Sequence, residues 1–244
     1  MSGAARAGRT IVKTVARKAS SPVGSVRAIR TDAPHIVLTY DDGPDDVGTE
    51  RVLAALARHQ ATATFFVLMG RVHRNPTLLR EVRDAGHEIA LHGLDHKRLT
   101  DFSAQDVFRR TRDGRAQLED IVGAPVKWFR PPYGAQVPAT WLAIRRAGLM
   151  PVVWGPTPGD WRDLPEEQLA QDAMAGSGKG SVVLCHDGHA GPADGVNDGP
   201  EPRIDRGKLA DLMLQGFAAR GLQGRSLADA MASGRELRWA WFKH

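Results

Sequence analysis

The feature that most constrains what this chain can fold into is a repeated alternation of short β-branched, apolar runs with amphipathic helical stretches. Residues 35–40, 62–67, 87–91, 126–129, 149–154 and 181–186 read as strands, and a weaker seventh falls at 222–225. Between them the periodicity predicts helices over 49–59, 76–85, 103–120, 138–147, 165–175 and 205–219. Pro76 suits a first helical turn, Ser103 an N-cap, and Gly86 a stop. Strands that alternate with helices in this way form a parallel sheet with helices packed outside it. The residues from 32 onward make a full eight-unit barrel, typically ~250 residues, a tight fit. A smaller or incomplete α/β barrel, or an open sheet, is the expected architecture.

Charge separates one segment from this pattern. Residues 1–31 hold seven cations (Arg6, Arg9, Lys13, Arg17, Lys18, Arg27 and Arg30) and no acid, so with a net charge of +5 the remainder carries −2. The reading is a basic, disordered leader over residues 1–31 followed by one domain over 32–244. A slightly acidic domain argues against nucleic acid as a partner. The leader lacks the apolar core of a secretory signal, and no apolar run reaches the ~20 residues needed to span a bilayer. These features predict a cytoplasmic protein, with the leader offering weak association with an anionic membrane surface. The single cysteine excludes an internal disulfide framework.

Unusual polar residues gather just past the C-terminal ends of the strands. Asp41 and Asp42 follow the first, His92 and His96 the third, Arg130 the fourth and Asp160 with Trp161 the fifth, while His186 closes the sixth. That rim is where sites form in parallel α/β folds. Two like charges at Asp41-Asp42 call for a metal ion or a cationic neighbour. His92 and His96, four residues apart, are expected on one side of a helical turn. With a rim carboxylate they make a two-His-one-carboxylate set that suits Zn²⁺ and also Co²⁺ or Ni²⁺. Cys185 and His186 are adjacent on a strand, point to opposite faces and so form no dyad. Residues 176–181 look faintly like a phosphate loop but precede their strand, and read as a turn. Asp187-Gly188-His189 reads as loop, and Trp239, Trp241 and Phe242 as packing back on their own domain.

Five short stretches, in order, resemble the motifs of the polysaccharide deacetylases (carbohydrate esterase family four, the NodB homology domain). They are Thr39-Tyr40-Asp41-Asp42-Gly43-Pro44, His92-Gly93-Leu94-Asp95-His96, Arg130-Pro131-Pro132-Tyr133, Asp160-Trp161 and Leu184-Cys185-His186. The resemblance implies a distorted barrel of about seven βα units and a metal-dependent hydrolase that removes N-acetyl groups from amino sugars in a glycan or glycoconjugate. It implies Asp41 as general base, Asp42, His92 and His96 as ligands of one divalent ion, and a metal-bound water as nucleophile. It further implies His186 as general acid with Asp160 as its charge partner, and Arg130 orienting Asp41. The backbone N–H of Tyr133 would face the oxyanion, while Pro131, Trp161 and Leu184 would line the substrate pocket. Gly93 departs from the usual Ser or Thr and removes a hydroxyl that would brace the ligand stretch; Thr157 stands where another Asp is common. Two other readings remain: an O-acetyl esterase or non-sugar amide hydrolase on the same fold, and a catalytically silent carbohydrate-binding module. The long polar stretch 187–202 follows the strand of His186 and is expected to close over a small headgroup, favouring short or conjugated substrates.

Overall fold

The computed structural model describes residues 23–243. Its centre is β2 (His35–Asp41), whose residues from Ile36 to Asp41 are all buried. Around it stand β3 (Thr64–Leu68), β4 (Glu88–Gly93), β5 (Trp128–Phe129), β6 (Met150–Pro151), β7 (Val182–His186) and β8 (Gln223–Arg225). The sheet order is β6-β5-β4-β3-β2-β7, with β8 pairing the first half of β2, and every pairing is parallel. Helices α1 (Gly48–Arg58), α2 (Met69–Arg74), α3 (Pro76–Asp84), α4 (Ala104–Val122), α5 (Pro138–Arg146), α6 (Glu166–Met174), α7 (Arg206–Ala219) and α8 (Leu227–Ala232) connect the strands. Their starts follow the sequence: Asn75 caps α3 ahead of Pro76, Ser103 caps α4 and Asp205 caps α7, each contributing about 1 kcal/mol.

Strand periodicity sorts the side chains into two cores. Ile36, Leu38, Tyr40, Phe65, Val67, Leu91, Val183 and Cys185 face the helices. Val37, Phe66, Ala90, Trp128, Val152 and Val182 face the barrel interior. The sheet does not close between β6 and β7 by a regular ladder. Gly155 and Leu184 instead make single backbone bonds across the gap, to Val182 and Pro156 respectively. The expected distorted, seven-stranded barrel is therefore what forms, although β5 and β6 are only two residues long where four and six were expected.

One expectation fails on its boundary. The last seven residues of the presumed leader, Ser25–Thr31, form β1, which pairs antiparallel with β9 (Gly234–Trp239). β1 also bridges Val152 on one side and Ser181 on the other, so it fills the lower part of the gap between β6 and β7. Val26 and Ile29 enter the interior core beside Leu227 and Ala230 of α8 and stopper the floor of the barrel. Burial of two such side chains, at about 1.5–3 kcal/mol each, outweighs the polarity of the segment. Residues 1–22, which hold the other five leader cations, lie outside the described residues. Among the described residues no helix is long and apolar enough to cross a membrane. Of the C-terminal aromatics, two pack on their own domain as expected: Arg27 lies 3.6 Å over the Trp239 ring, and Trp241 lies tilted against Trp154 and donates to the Gly134 carbonyl, whereas Phe242 is exposed.

Candidate active site

The same alternation that builds the interior core carries on past its apolar part. Val37, Thr39 and Asp41 share one face of β2; Val182, Leu184 and His186 share the matching face of β7, in register so that Asp41 lies opposite His186. On β4 the sequence Ala90, His92 follows the same parity. At the open rim Asp41, His92, Leu184 and His186 bound a cavity of about 510 Å³, lined also by Asp42, His96, Pro131, Tyr133, Asp160 and Trp161. Of the site residues implied by the five motifs, only Arg130 does not line this cavity; it is fully buried.

Three pairings define the chemistry. Arg130 donates from Nη1 to Asp41 Oδ1 at 2.6 Å and to Thr39 Oγ1 at 2.9 Å, with its guanidinium 4.1 Å above the Phe66 ring. His186 Nδ1 sits 2.8 Å from Asp160 Oδ1, and the His186 amide donates to the other oxygen at 2.7 Å. Burial alone would lower the His186 pKa; the Asp160 charge and hydrogen bond, with Asp42 and Asp41 beyond, outweigh it and carry the imidazole up to about 9. Burial works against Asp160 too, yet His186 and Arg206 hold its carboxyl below the usual range.

The third grouping is Asp42, His92 and His96, all buried. Asp42 Oδ1 lies 3.4 Å from His92 Nε2 and 3.3 Å from His96 Nε2, and has no hydrogen-bond partner. Ligand atoms held at ~2.0–2.1 Å around a tetrahedral ion stand roughly 3.3 Å apart, so this set fits a divalent metal. The far nitrogens are occupied as metal-binding imidazoles require: His92 Nδ1 is 2.8 Å from the Arg130 carbonyl and His96 Nδ1 is 3.2 Å from Asp198 Oδ2. Burial raises the Asp42 carboxyl, but the two imidazoles more than reverse this, and it is held well below the ordinary carboxylate range. The expected helical turn is absent. His92 is the penultimate residue of β4 and His96 follows in a bend, reached through Gly93 at φ +140°. At this φ a side chain would place Cβ 2.8 Å from the Asp95 carbonyl, so the backbone adopted here suits glycine.

Backbone strain collects at the same place. Asp42 (φ +76°) and Tyr133 (φ +59°) both adopt the left-handed region, uncommon for any side chain and costly for a bulky one, at about 1–3 kcal/mol. Trp161 stands edge-on to His186 and is half exposed, at the mouth.

Three participants were not anticipated. Asp187 is buried and accepts from the Gly43 amide at 3.1 Å and from Thr49 Oγ1 at 2.5 Å, tying the end of β7 to the turn after Asp42. Burial pushes its carboxyl up to about 7. Arg206 donates to the His186 carbonyl at 2.9 Å. Asp198 accepts from the Tyr133 hydroxyl at 2.7 Å. Position next to His186 was the one available signal for Asp187; nothing in the sequence sets Arg206 or Asp198 apart.

Residues 28–152 match the family profile described as polysaccharide deacetylase. A peptidoglycan-N-acetylglucosamine deacetylase of Bacillus cereus is 34% identical over 175 residues, covering 70% of this chain and 82% of that one. A chitooligosaccharide deacetylase of Sinorhizobium fredii is 36% identical over 159 residues, covering 65% and 74%. Among solved structures, a family 4 acetyl xylan esterase from Clostridium thermocellum, in complex with a cobalt ion, superposes with a TM-score of 0.69 at 28% identity, over 80% of this chain and 89% of that one. Profile, sequence and fold agree, and the chain belongs to the polysaccharide deacetylase family of hydrolases.

Proposed function

We propose that this enzyme hydrolyses the N-acetyl group of an amino sugar in a glycan or glycoconjugate. The observation that carries the reading is the convergence, in one rim cavity, of Asp41 and His186, each paired with an opposite charge, beside a three-ligand cluster. Asp41 is fixed by a buried cation, while His186 is held protonated by Asp160. A divalent ion held by Asp42, His92 and His96, with Zn²⁺, Co²⁺ and Ni²⁺ all suited to the donor set, would acidify water and polarise the acetyl carbonyl.

The chain's own groups supply the rest. Asp41 takes the proton of the attacking water, its free oxygen aimed into the cavity by Arg130. The Tyr133 backbone N–H donates to the oxygen that gains charge as the carbonyl carbon becomes tetrahedral. Nitrogen leaves only as an amine, so His186 delivers a proton to it, and Asp160 steadies the ring through that transfer. Pro131, Trp161 and Leu184 line the space available to the acetyl methyl. A catalytically silent carbohydrate-binding module would have no use for a buried Arg130–Asp41 pair beside the ligand cluster.

A second reading, hydrolysis of O-acetyl esters, is favoured by the likeness to the acetyl xylan esterase. Acetate release from chito-oligosaccharides, peptidoglycan fragments and acetylxylan, with metal-free and with Zn²⁺-, Co²⁺- or Ni²⁺-loaded protein, separates the two. Release from the first two substrates only, and only with metal, is the expected result. Release from acetylxylan alone replaces the reading with the esterase, and release without metal removes the role of the cluster.

A further inference from the structure

The two histidines of the ligand cluster are braced in different ways. His92 leans on the Arg130 carbonyl, part of the barrel itself. His96 leans on Asp198, more than a hundred residues away in the long loop between β7 and α7. This loop touches the cluster's surroundings twice. The His96 amide donates to the Asp194 carbonyl at 3.0 Å, and the Asp198 carboxylate spans His96 Nδ1 and the Tyr133 hydroxyl, with the His96 and Tyr133 rings 4.4 Å apart. The base of the loop is anchored, since the buried Asp194 carboxylate pairs with Arg71 and Arg74 at 2.8 Å each. Asp198 itself is nearer the loop's outer part, its side chain 27% exposed. With Gly93 at the second position of the ligand stretch, that stretch has no side chain of its own there to hold His96.

We infer that Asp198 is a positioning residue that couples the metal cluster to the 187–202 loop: it orients His96 for the ion, and the bound ion in turn holds the loop over the cavity. This rests on the metal reading of the Asp42, His92 and His96 cluster. A carboxylate on the far nitrogen fixes the imidazole's tautomer and orientation and strengthens it as a ligand, an effect of roughly 10–100-fold in metal affinity. Because the carboxylate rides on a loop rather than on the barrel, whatever free energy the closed loop contributes to metal binding, the ion returns to loop closure. Tyr133 is drawn into the same coupling, so the loop's position also fixes the outer edge of the residue whose backbone faces the reacting carbonyl.

Two measurements on the whole chain, both without substrate, test this. Competition with a chromophoric chelator should show Asp198→Ala binding Zn²⁺ about 10–100-fold more weakly than the parent, and Asp198→Asn falling between them. Hydrogen exchange of the amides from 188 to 200 should slow on adding Zn²⁺ to the parent protein and remain unchanged in Asp198→Ala. Affinity within twofold of the parent in both variants, or loop exchange indifferent to Zn²⁺ in the parent, overturns the inference. Unchanged circular dichroism and exchange in β2 and β3 separate lost coupling from lost fold; if Asp198→Ala fails that check, Asp198→Asn alone decides. A protein that binds Zn²⁺ and orders the loop but releases no acetate would overturn the proposed function and leave this coupling intact.

Discussion

Arg130 holds Asp41 through a 2.6 Å contact in which neither side chain is more than 4% exposed. The two ions were removed from water together, so removing one leaves the other stranded. Arg130→Ala should cost about 3–5 kcal/mol of stability, read from denaturant unfolding. Asp41→Asn also leaves Arg130 without its counter-charge and should lower stability, but it keeps the side-chain shape and the ligand cluster, so the folded protein should retain metal while turnover falls ~10²–10⁴-fold. Loss of metal in Asp41→Asn would show that Asp41 is a ligand instead of a base.

Metal should be ligated directly by Asp42, His92 and His96 alone, with Asp198 acting only through His96. Purified protein should carry about one ion per chain, and His92→Ala, His96→Ala and Asp42→Ala should each lose most of it. Zn²⁺ at a hundred times its dissociation constant should stabilise the parent by about 2.7 kcal/mol, seen as a rise in melting temperature, and leave the His92→Ala variant unmoved. An equal rise in both would place the ion elsewhere.

The pH response follows from His186. Its folded pKa, about 9, lies above the unfolded value near 6.5. The stability gained from its pairing with Asp160 is therefore fully present below ~6.5 and is lost as pH rises through about 9. In metal-free protein the imidazole should titrate near 9 by NMR, and Asp160→Asn should lower that midpoint. A dication in the neighbouring cluster repels the imidazolium, so loaded protein should titrate lower than metal-free protein. A metal-free midpoint at or below 6.5 would remove Asp160 as the cause.

Leaving-group chemistry gives a separate check on the same residue. His186→Ala should slow N-acetyl hydrolysis by ~10²–10⁴-fold, because an amine cannot depart unprotonated. An activated aryl acetate leaves without a proton and should lose much less. Equal losses on both substrates would mean that His186 is not the acid.

Restoring the family's usual hydroxyl at position 93 should harm the protein. Gly93→Ser places a side chain at φ +140°, with Cβ 2.8 Å from the Asp95 carbonyl, where strain costs about 1–3 kcal/mol. Zn²⁺ affinity should fall as His96 is displaced, and both losses are measurable by chelator competition and thermal unfolding. A gain in affinity would mean that the stretch can rebuild itself.

Much of the site was legible because strand alternation does not stop at the apolar residues. Val37, Thr39, Asp41 and Val182, Leu184, His186 continue one face from core to rim, so a polar residue ending a buried run marks the site. Three things defeated that reading. The sequence of β1, SVRAIRT, shows only two residues to the interior core between arginines, and its partner β9 lies more than two hundred residues away. Local composition therefore reads as a basic tail, and only tertiary pairing makes it a strand. His92 and His96 failed differently: a four-residue spacing matches a helical turn, but a strand end followed by a glycine bend brings the same two rings to 5.2 Å. Asp198 lay in a stretch without periodicity, where no pattern ranks one carboxylate above another.

The pairing of β1 with β9 also orders events in time. During synthesis, the strand at residues 25–31 leaves the ribosome long before residues 234–239 exist, and until then its outer edge has no ladder partner. The helices and parallel strands can gather around β2 as they emerge, but the floor of the barrel is completed only once translation has passed Trp239. A chain halted before Gly234 would hold most of the catalytic rim above an open strand edge, a template for pairing with another unfinished copy.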